Sequence, residues 1–248
     1  AASLMIVLDV TIVGVALPSI REDLGFSETS LAWVVNAYLL TYGGFLLLGG
    51  RLGDLFGQRR LFLIGITLFT LASLVCGLAT TQELLVVGRG VQGLGGAVAS
   101  AVSLSLMVNL FTEPGERAKA MGIFGFVASG GGSIGVLLGG ILTDALSWHW
   151  IFLVSFPIGV VVVLLSLRLL PEVHLPMTNR RLDVAGAITV TASLMIAVYA
   201  IVNGNQNGWT SLETIGLLAV AVTIFVVFLV IETRVSSPLV PLRIFRLR

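Results

Sequence analysis

The sequence predicts an all-α membrane protein, a polytopic helix bundle with about eight transmembrane helices. Of its 248 residues, 56% are hydrophobic and only 11% are charged, whereas a soluble domain carries about 25% charged residues. The long apolar runs each approach the roughly 20 residues that a helix needs to cross a bilayer. Strands of an outer-membrane barrel would be about ten residues long and alternating. The runs in this sequence are longer and continuous, so they are not barrel strands. Together, the high hydrophobic fraction and the low charged fraction exclude an ordinary soluble domain, a disordered chain and a nucleic-acid-binding protein.

The predicted spans follow one another with short polar or glycine-rich breaks between them. In chain order they are residues 3–20, 31–49, 61–79, 84–110, 119–143, 150–170, 183–202 and 212–231. A continuous apolar run of this length lacks the polar face of an amphipathic surface helix, so each run is predicted to cross the bilayer. The first run is not a signal peptide, because no basic residue precedes it and it contains Asp9.

The distribution of basic residues predicts the orientation of these spans. If the N-terminus lies in the cytoplasm, twelve of the 14 lysines and arginines fall on the cytoplasmic side, Arg21 falls outside and Arg89 lies within a span. The acidic residues divide evenly between the two sides. An asymmetry in Lys and Arg that the acids do not share follows the positive-inside rule. It predicts a multi-pass plasma-membrane protein with both ends of this chain in the cytoplasm.

Two ionisable residues lie inside predicted spans, Asp9 in the first and Arg89 in the fourth. A charge at bilayer depth is costly unless it faces a cavity or a partner, so both are candidate functional residues. A structural alternative stays open for each residue. Asp9 would be a packing residue whose carboxylate is satisfied by a hydroxyl such as that of Thr11 or by a neighbouring helix. Arg89 would extend its side chain to the outer membrane surface. Gln92 lies one turn from Arg89 on the same helix face and favours a polar lining.

Other spans carry features of helix packing or of a path through the membrane. Glycines recur every four residues in the fifth span, at Gly131, Gly135 and Gly139, and predict a groove where another backbone can approach closely. We also assign Gly140 to this helix interface. Spacing alone does not distinguish static packing from a sliding interface. In the second span, Trp33 and Tyr38 fit a substrate path and a lipid-facing surface equally well.

The sequence carries no recognisable catalytic or metal-binding arrangement. Residues 88–93 match the G-x-G-x-x-G dinucleotide pattern, but that pattern requires a strand–turn–helix in a soluble domain, and here it lies inside an apolar run. The only lysine, Lys119, does not follow the glycines of a P-loop. One cysteine, Cys76, excludes a disulfide framework. We therefore expect no enzyme activity, no cofactor and no metal site.

Several of these segments resemble, in order, the signatures of the major facilitator superfamily, and most closely those of its fourteen-helix drug:proton antiporters. The loop GGRLGDLFGQRR at 49–60 resembles the family's cytoplasmic signature, although Gln58 stands where a basic residue is common. The positions that match in this loop are Gly50, Asp54, Gly57, Arg59 and Arg60. The signatures of the first, fourth, fifth and sixth helices are resembled by residues 8–18, 84–97, 131–140 and 147–159. Gly14 replaces a usual asparagine and Val136 a usual proline.

The resemblance implies a proton-coupled secondary transporter that exports small drug-like or amphipathic molecules by alternating access. Asp9 and Arg89 would couple the proton, the five matching loop residues would form a conformational latch, and the glycine groove would lie at a moving helix interface. Trp33, Tyr38 and Gln92 would be candidates for the substrate path. The alternatives are an inactive half-transporter or membrane scaffold, or a facilitator or symporter of another small solute.

The resemblance also predicts a domain organisation. Residues 1–170 would form an N-terminal six-helix bundle, 171–182 a cytoplasmic loop, 183–231 an extra helix pair, and 232–248 a cytoplasmic loop leading to a C-terminal bundle. We expect this sequence to be the N-terminal piece of a longer chain in a bacterial inner membrane. Its expected partners are a small-molecule substrate, protons, the lipid bilayer and the C-terminal half of the same polypeptide, and not nucleic acid.

Overall fold

The computed structural model describes residues 2–171 and 183–235, and in these residues the chain forms nine α-helices and no strand. The helices are α1 (Ala2–Leu24), α2 (Glu28–Phe56), α3 (Gln58–Gly77), α4 (Gln82–Leu110), α5 (Pro114–Ala145), α6 (His149–Leu153), α7 (Ser155–Leu169), α8 (Val184–Asn207) and α9 (Leu212–Arg234). They make eight candidate membrane crossings, because α6 and α7 together form one apolar stretch, His149–Leu169. The predicted all-α bundle of about eight membrane helices is confirmed.

Most of the two predicted cytoplasmic loops, 171–182 and 232–248, lies outside the described residues. The helix α9 continues through Arg234 and so takes in the start of the second loop. The division of the chain into a six-helix bundle and a helix pair stays a prediction.

The sixth crossing is interrupted at Val154, between α6 and α7. Pro157 follows in the first turn of α7, and its ring nitrogen has no hydrogen to donate to the carbonyl of Leu153. A missing bond of this kind breaks or kinks a helix at the preceding turn. The interruption therefore has a local cause in the sequence.

Polar residues between the crossings begin several of the helices. The hydroxyl of Ser27 accepts a hydrogen bond from the N–H of Ser30, and the hydroxyl of Thr81 accepts one from the N–H of Leu84. The carboxylate of Asp183 accepts one from the N–H of Gly186. Such caps satisfy amide groups that have no partner inside the helix. The short breaks in hydrophobicity are therefore helix starts.

The helix α4 lies at the centre of the bundle, packed against α2 on one side and α3 on the other. Glycines make the approach close. A Cβ added at Gly95 would lie 2.6 Å from the backbone nitrogen of Phe69 in α3, and one added at Gly93 would meet the backbone of Tyr38 in α2. The backbone of α4 therefore lies directly against the backbones of α2 and α3. Its inward-pointing side chains start from the centre of the bundle.

Two further packing contacts complete the arrangement. The helix α5 packs on α1, and only Gly131, Gly135 and Gly139 of α5 are buried. The helices α8 and α9 form a pair, and α8 packs on α2. There a Cβ at Gly44 would lie 2.5 Å from the Cγ of Met195. The first crossing is therefore covered on one side by a glycine-rich helix, and the second by the pair of α8 and α9.

Candidate functional site

The two charged residues of the membrane spans form an ion pair inside the bundle. The Nη1 of Arg89 in α4 donates a hydrogen bond to the Oδ2 of Asp9 in α1 over 2.6 Å. Asp9 is 0% exposed and Arg89 is 1% exposed. The alternative in which Arg89 extends to the membrane surface is therefore wrong, because its side chain turns into the core.

Gln92 closes this pair into a network that spans three helices. Its amide nitrogen donates to the second carboxylate oxygen of Asp9 over 2.7 Å, and its amide oxygen accepts from the Nη1 of Arg89 over 2.6 Å. The same amide nitrogen donates to the hydroxyl of Ser73 in α3 over 2.7 Å. Ser73 in turn donates to the carbonyl of Phe69 over 2.9 Å. Both oxygens of Asp9 thus accept a hydrogen bond from a neighbouring helix.

The guanidinium of Arg89 has further partners in α2 and α6. Its Nε donates to the carbonyl of Val34 over 2.9 Å. Its central carbon lies 4.3 Å from the ring centroid of Tyr38 and 5.6 Å from that of Phe152. Aromatic faces attract a cation most strongly where water is excluded. Five elements of the bundle therefore contribute to one buried charge site.

Of the two partners considered for Asp9, the hydroxyl of Thr11 is wrong and a neighbouring helix is correct, because Arg89 and Gln92 of α4 bind the carboxylate. The hydroxyl of Thr11 donates to carbonyls of its own helix, those of Val7 and Leu8. An isolated carboxylate in an apolar interior is strongly disfavoured, and it is stabilised there only by a paired charge with further hydrogen bonds. Arg89 and Gln92 supply both. The arrangement therefore compensates a negative charge on Asp9 and gives each of its oxygens a hydrogen-bond donor.

The two aromatic candidates of the second span lie in different surroundings. Tyr38 is buried beneath Arg89 and stacks on Tyr42 with 5.7 Å between ring centroids. Trp33 is half-buried and lies 5.9 Å from the ring of Tyr199 in α8. Trp33 thus contacts α8. A role for Trp33, Tyr38 or Gln92 on a substrate path stays a prediction.

The prediction of a loop at 49–60 is wrong, because α2 runs to Phe56 and α3 begins at Gln58. Only Gly57 joins the two helices, and it adopts a φ of +94° that L-residues with a side chain rarely adopt. The Nη2 of Arg59 donates to the carbonyl of Leu167, in the last turn of α7, over 2.8 Å. Asp54 and Arg60 are exposed, and among the described residues Asp54 forms no ion pair. Gly50 lies close to α4, where an added Cβ would be 3.9 Å from the Cβ of Ala101. A latch role for these five residues stays a prediction.

Gln58, the departure from the usual loop signature, has a partner of its own. Its amide oxygen accepts a hydrogen bond from the amide nitrogen of Asn109, near the end of α4, over 2.9 Å. A neutral contact thus joins the start of α3 to the end of α4 at this position.

The glycine groove of α5 is filled by α1. A Cβ at Gly139 would lie 2.9 Å from the carbonyl oxygen of Ile12, and one at Gly135 would collide with the hydroxyl of Thr11. A Cβ at Gly131 would lie 3.0 Å from a methyl of Val7. Gly140, by contrast, has open space where a Cβ would be. The groove therefore holds a helix of the described bundle, and its part in any sliding motion stays a prediction.

Three partners of the charged network were not predicted from the sequence: Ser73, Phe152 and the carbonyl of Val34. Ser73 offered a weak signal, since a hydroxyl in an apolar span often binds its own helix. Here it does so and also accepts from Gln92. Among the described residues, no three His, Cys, Asp or Glu side chains come together as a metal site would require.

In the part of the chain that the structure describes, eight apolar helices around a buried ion pair are the architecture of a polytopic membrane protein. The sequence profile of the Major Facilitator Superfamily matches residues 1–247, and the chain therefore belongs to this family. It is thus a transporter-family chain and not an enzyme.

Curated relatives of this chain include resistance and export proteins. The chain is 44% identical to the puromycin resistance protein pur8 of Streptomyces alboniger, over 97% of this chain and 48% of that protein. It is 41% identical to the cephamycin export protein CmcT of Amycolatopsis lactamdurans, over 99% of this chain and 51% of that protein. The chain therefore spans about half the length of these relatives.

Solved structures share the fold at low sequence identity. The POT family transporter PepTSo matches 94% of this chain and 50% of its own with a TM-score of 0.66 at 17% identity. The human organic anion transporter MFSD10 matches 79% of this chain and 53% of its own with a TM-score of 0.61 at 17% identity. At this identity the likeness establishes the fold alone.

Proposed function

We propose that this chain forms the N-terminal half of a proton-coupled exporter of small amphipathic molecules in a bacterial inner membrane. The observation that carries the proposal is the buried ion pair of Asp9 and Arg89, and the proposal is supported by relatives that include proteins named for resistance and export. Charged groups inside membrane bundles mark ion and substrate pathways. We propose that a proton acts on the bundle through this ion pair, by binding to Asp9 and weakening its contact with Arg89.

Asp9 is the proposed proton-binding residue. In its ionised form the carboxylate accepts hydrogen bonds from Arg89 and Gln92. A proton added at Oδ2 would break the hydrogen bond from Nη1 of Arg89 and remove the charge attraction between α1 and α4. The ionised and protonated forms then favour different arrangements of these helices. A ligand that prefers one arrangement shifts the balance toward it, and the proton is such a ligand.

The rest of the transport cycle follows the general scheme of secondary transporters. In that scheme two bundles expose a mid-membrane site alternately to each side of the membrane. We propose that a C-terminal half supplies the opposing bundle and that the loop around Gly57 stabilises one of the conformers. The contact from Arg59 to Leu167 supports a restraint at this end of the bundle.

The proposed orientation places this loop and both ends of the chain in the cytoplasm. Single cysteines at Glu22 and Gly115, both exposed, test it in a protein that also carries Cys76→Ser. The cysteine at Glu22 should react with a membrane-impermeant maleimide in intact cells, and the one at Gly115 only after permeabilisation. Reaction at Gly115 in intact cells would overturn the orientation.

The proton role of Asp9 is tested in the full-length transporter reconstituted into vesicles. Asp9→Asn imitates the protonated carboxyl without exchanging a proton, so substrate binding should persist while export against a pH gradient is lost. Asp9→Glu should keep partial coupling with an altered pH profile. Flux is compared at equal amounts of folded protein. Full gradient-driven export by Asp9→Asn would remove Asp9 from the mechanism.

A second measurement tests the need for a second bundle. The 248-residue chain alone lacks the opposing bundle that is needed to close a cavity on both sides of the membrane. It should therefore show no proton-coupled flux in vesicles. Robust flux would mean that two copies assemble into a working unit. It would overturn the proposal that a C-terminal half is required.

A further inference from the structure

A cleft opens beside the loop that joins α4 to α5. It lies between the end of α4, the first half of α5 and the start of α1, and it encloses about 510 Å³. It exists because no residue of α5 before Gly131 is buried, so this half of the helix is not packed into the bundle. Small-molecule sites enclose about 300–1,000 Å³.

The lining of the cleft combines an apolar floor with a charged edge. Met107 and Phe111 line it from the end of α4, and Ile123 and Phe124 from α5. Ile123 is 58% exposed and Phe111 is 38% exposed, so large apolar side chains are open to a ligand here. Methionine adapts to differently shaped apolar ligands. The floor therefore suits aromatic or aliphatic groups of varied shape.

Glu116 and Lys119 line the same cleft and carry opposite charges. They lie one helical turn apart and so share a face of α5. Lys119 is the only lysine of the 248 residues. An apolar ligand alone would leave both charges unused, whereas a molecule with a charged group beside its apolar body would pair with one of them.

Arg117 fixes the wall of this cleft. Its Nε donates to the carbonyl of Phe111 and its Nη2 to the carbonyl of Val108, both over 3.0 Å. These carbonyls lie at the end of α4, where the helix itself supplies no donor. The bonds tie the beginning of α5 to the end of α4. The connection that carries Phe111 is therefore held in place.

We propose that this cleft is a loading site where the exported molecule first binds, with its apolar rings against Met107, Phe111 and Phe124. Its charged group, an amine or a carboxylate, pairs with Glu116 or Lys119 at the edge. The inference rests on the proposed export function and adds to it a first binding site away from the buried ion pair. The ligand class is an aromatic amphipathic molecule of drug size.

The test fills the cleft in the full-length transporter. Ala120 lines the cleft, whereas Ala118 is exposed and does not. Ala120→Trp should weaken equilibrium binding of ethidium, an aromatic cation, by about tenfold, and Ala118→Trp should leave binding unchanged. Binding is measured by fluorescence of the probe. Equal affinities for the two variants would overturn the site.

Charge variants test the edge independently and avoid a bulky substitution. Glu116→Gln should weaken binding of ethidium and leave an aromatic carboxylate probe unaffected, and Lys119→Gln should do the reverse. A cysteine at Ile123 should react with a maleimide, and ethidium should slow that reaction. A cysteine at Ile123 that never reacts would show that another part of the protein covers the cleft, which would overturn the proposal.

The outcomes also separate this site from the export function. If the wild-type protein binds ethidium in the cleft but exports nothing, the export function fails and the binding site stands. If export proceeds normally and Ala120→Trp matches Ala118→Trp in both binding and flux, the binding site fails and the export function stands.

Discussion

Asp9 and Arg89 lie 80 positions apart in sequence, yet their side chains meet over 2.6 Å in a part of the bundle that excludes solvent. The contact joins α1 to α4, two helices that otherwise pack mainly against other elements. Each residue is the only residue of opposite charge that the other contacts in the described part of the chain. Loss of either one would leave the other charged and buried.

Removal of one charge should therefore cost more than removal of both. Asp9→Asn in the 248-residue chain should lower the free energy of unfolding by about 3 kcal/mol or more, as expected when a buried pair loses one partner. Asp9→Asn combined with Arg89→Gln should recover much of that loss. Cys76 is the only cysteine and is fully buried, so a thiol-reactive dye reports unfolding on heating. Equal losses in the single and double variants would contradict the coupling.

The ring of Tyr38, and not its hydroxyl, should matter for the charged network. The ring lies under the guanidinium of Arg89, whereas the hydroxyl has no hydrogen-bond partner among the described residues. Tyr38→Phe should change stability by less than about 0.5 kcal/mol, and Tyr38→Leu should cost about 2 kcal/mol. The same dye assay compares them. A large loss with Tyr38→Phe would show that the hydroxyl has a partner.

Two adjacent glycines of α5 should respond oppositely to the same substitution. Gly139→Ala brings a methyl to within 2.9 Å of the carbonyl of Ile12 and should cost about 1–3 kcal/mol by overpacking. Gly140→Ala meets open space and should be neutral or stabilise the helix by about 0.5–1 kcal/mol. Thermal unfolding of both variants gives the comparison. Equal stability of Gly139→Ala and Gly140→Ala would contradict the prediction. It would mean that α1 can move away from α5 at little cost to make room for the added methyl.

The two neighbouring arginines of the loop should also differ. Arg59→Gln removes the donor to the carbonyl of Leu167 and should cost about 1–2 kcal/mol. Arg60 is exposed, so Arg60→Gln should cost less than about 0.5 kcal/mol. In the full-length transporter, export rates at equal folded protein then show whether either arginine acts as a latch. Equal stability of the two variants would mean that the bond to Leu167 contributes nothing.

The sequence predicted the helices of this bundle because continuous hydrophobicity over about 20 residues has few other outcomes. It also predicted that Asp9 and Arg89 are special, since charges in such runs are costly. It did not reveal that the two residues bind each other. Pairing between helices depends on how α1 and α4 rotate about their axes, and that rotation is set by close contacts such as those of Gly93 and Gly95.

The surroundings of single residues were likewise out of reach of sequence alone. Trp33 and Tyr38 lie five positions apart on one helix, and apolar neighbours surround both in the sequence. Trp33 contacts Tyr199 of α8, and Tyr38 lies under Arg89. The hydrophobicity of a membrane span does not distinguish a side that faces lipid from a side that faces another helix.

The neutrality of the buried ion pair has an electrical consequence. Asp9 and Arg89 together carry no net charge, so the voltage across the membrane does no net work on the pair when α1 and α4 move together. A proton bound to Asp9 would leave the positive charge of Arg89 uncompensated. A charge that moves through the whole membrane field gains or loses about 2.3 kcal/mol per 100 mV. Proton uptake would thus convert an electrically silent core into a voltage-sensitive one.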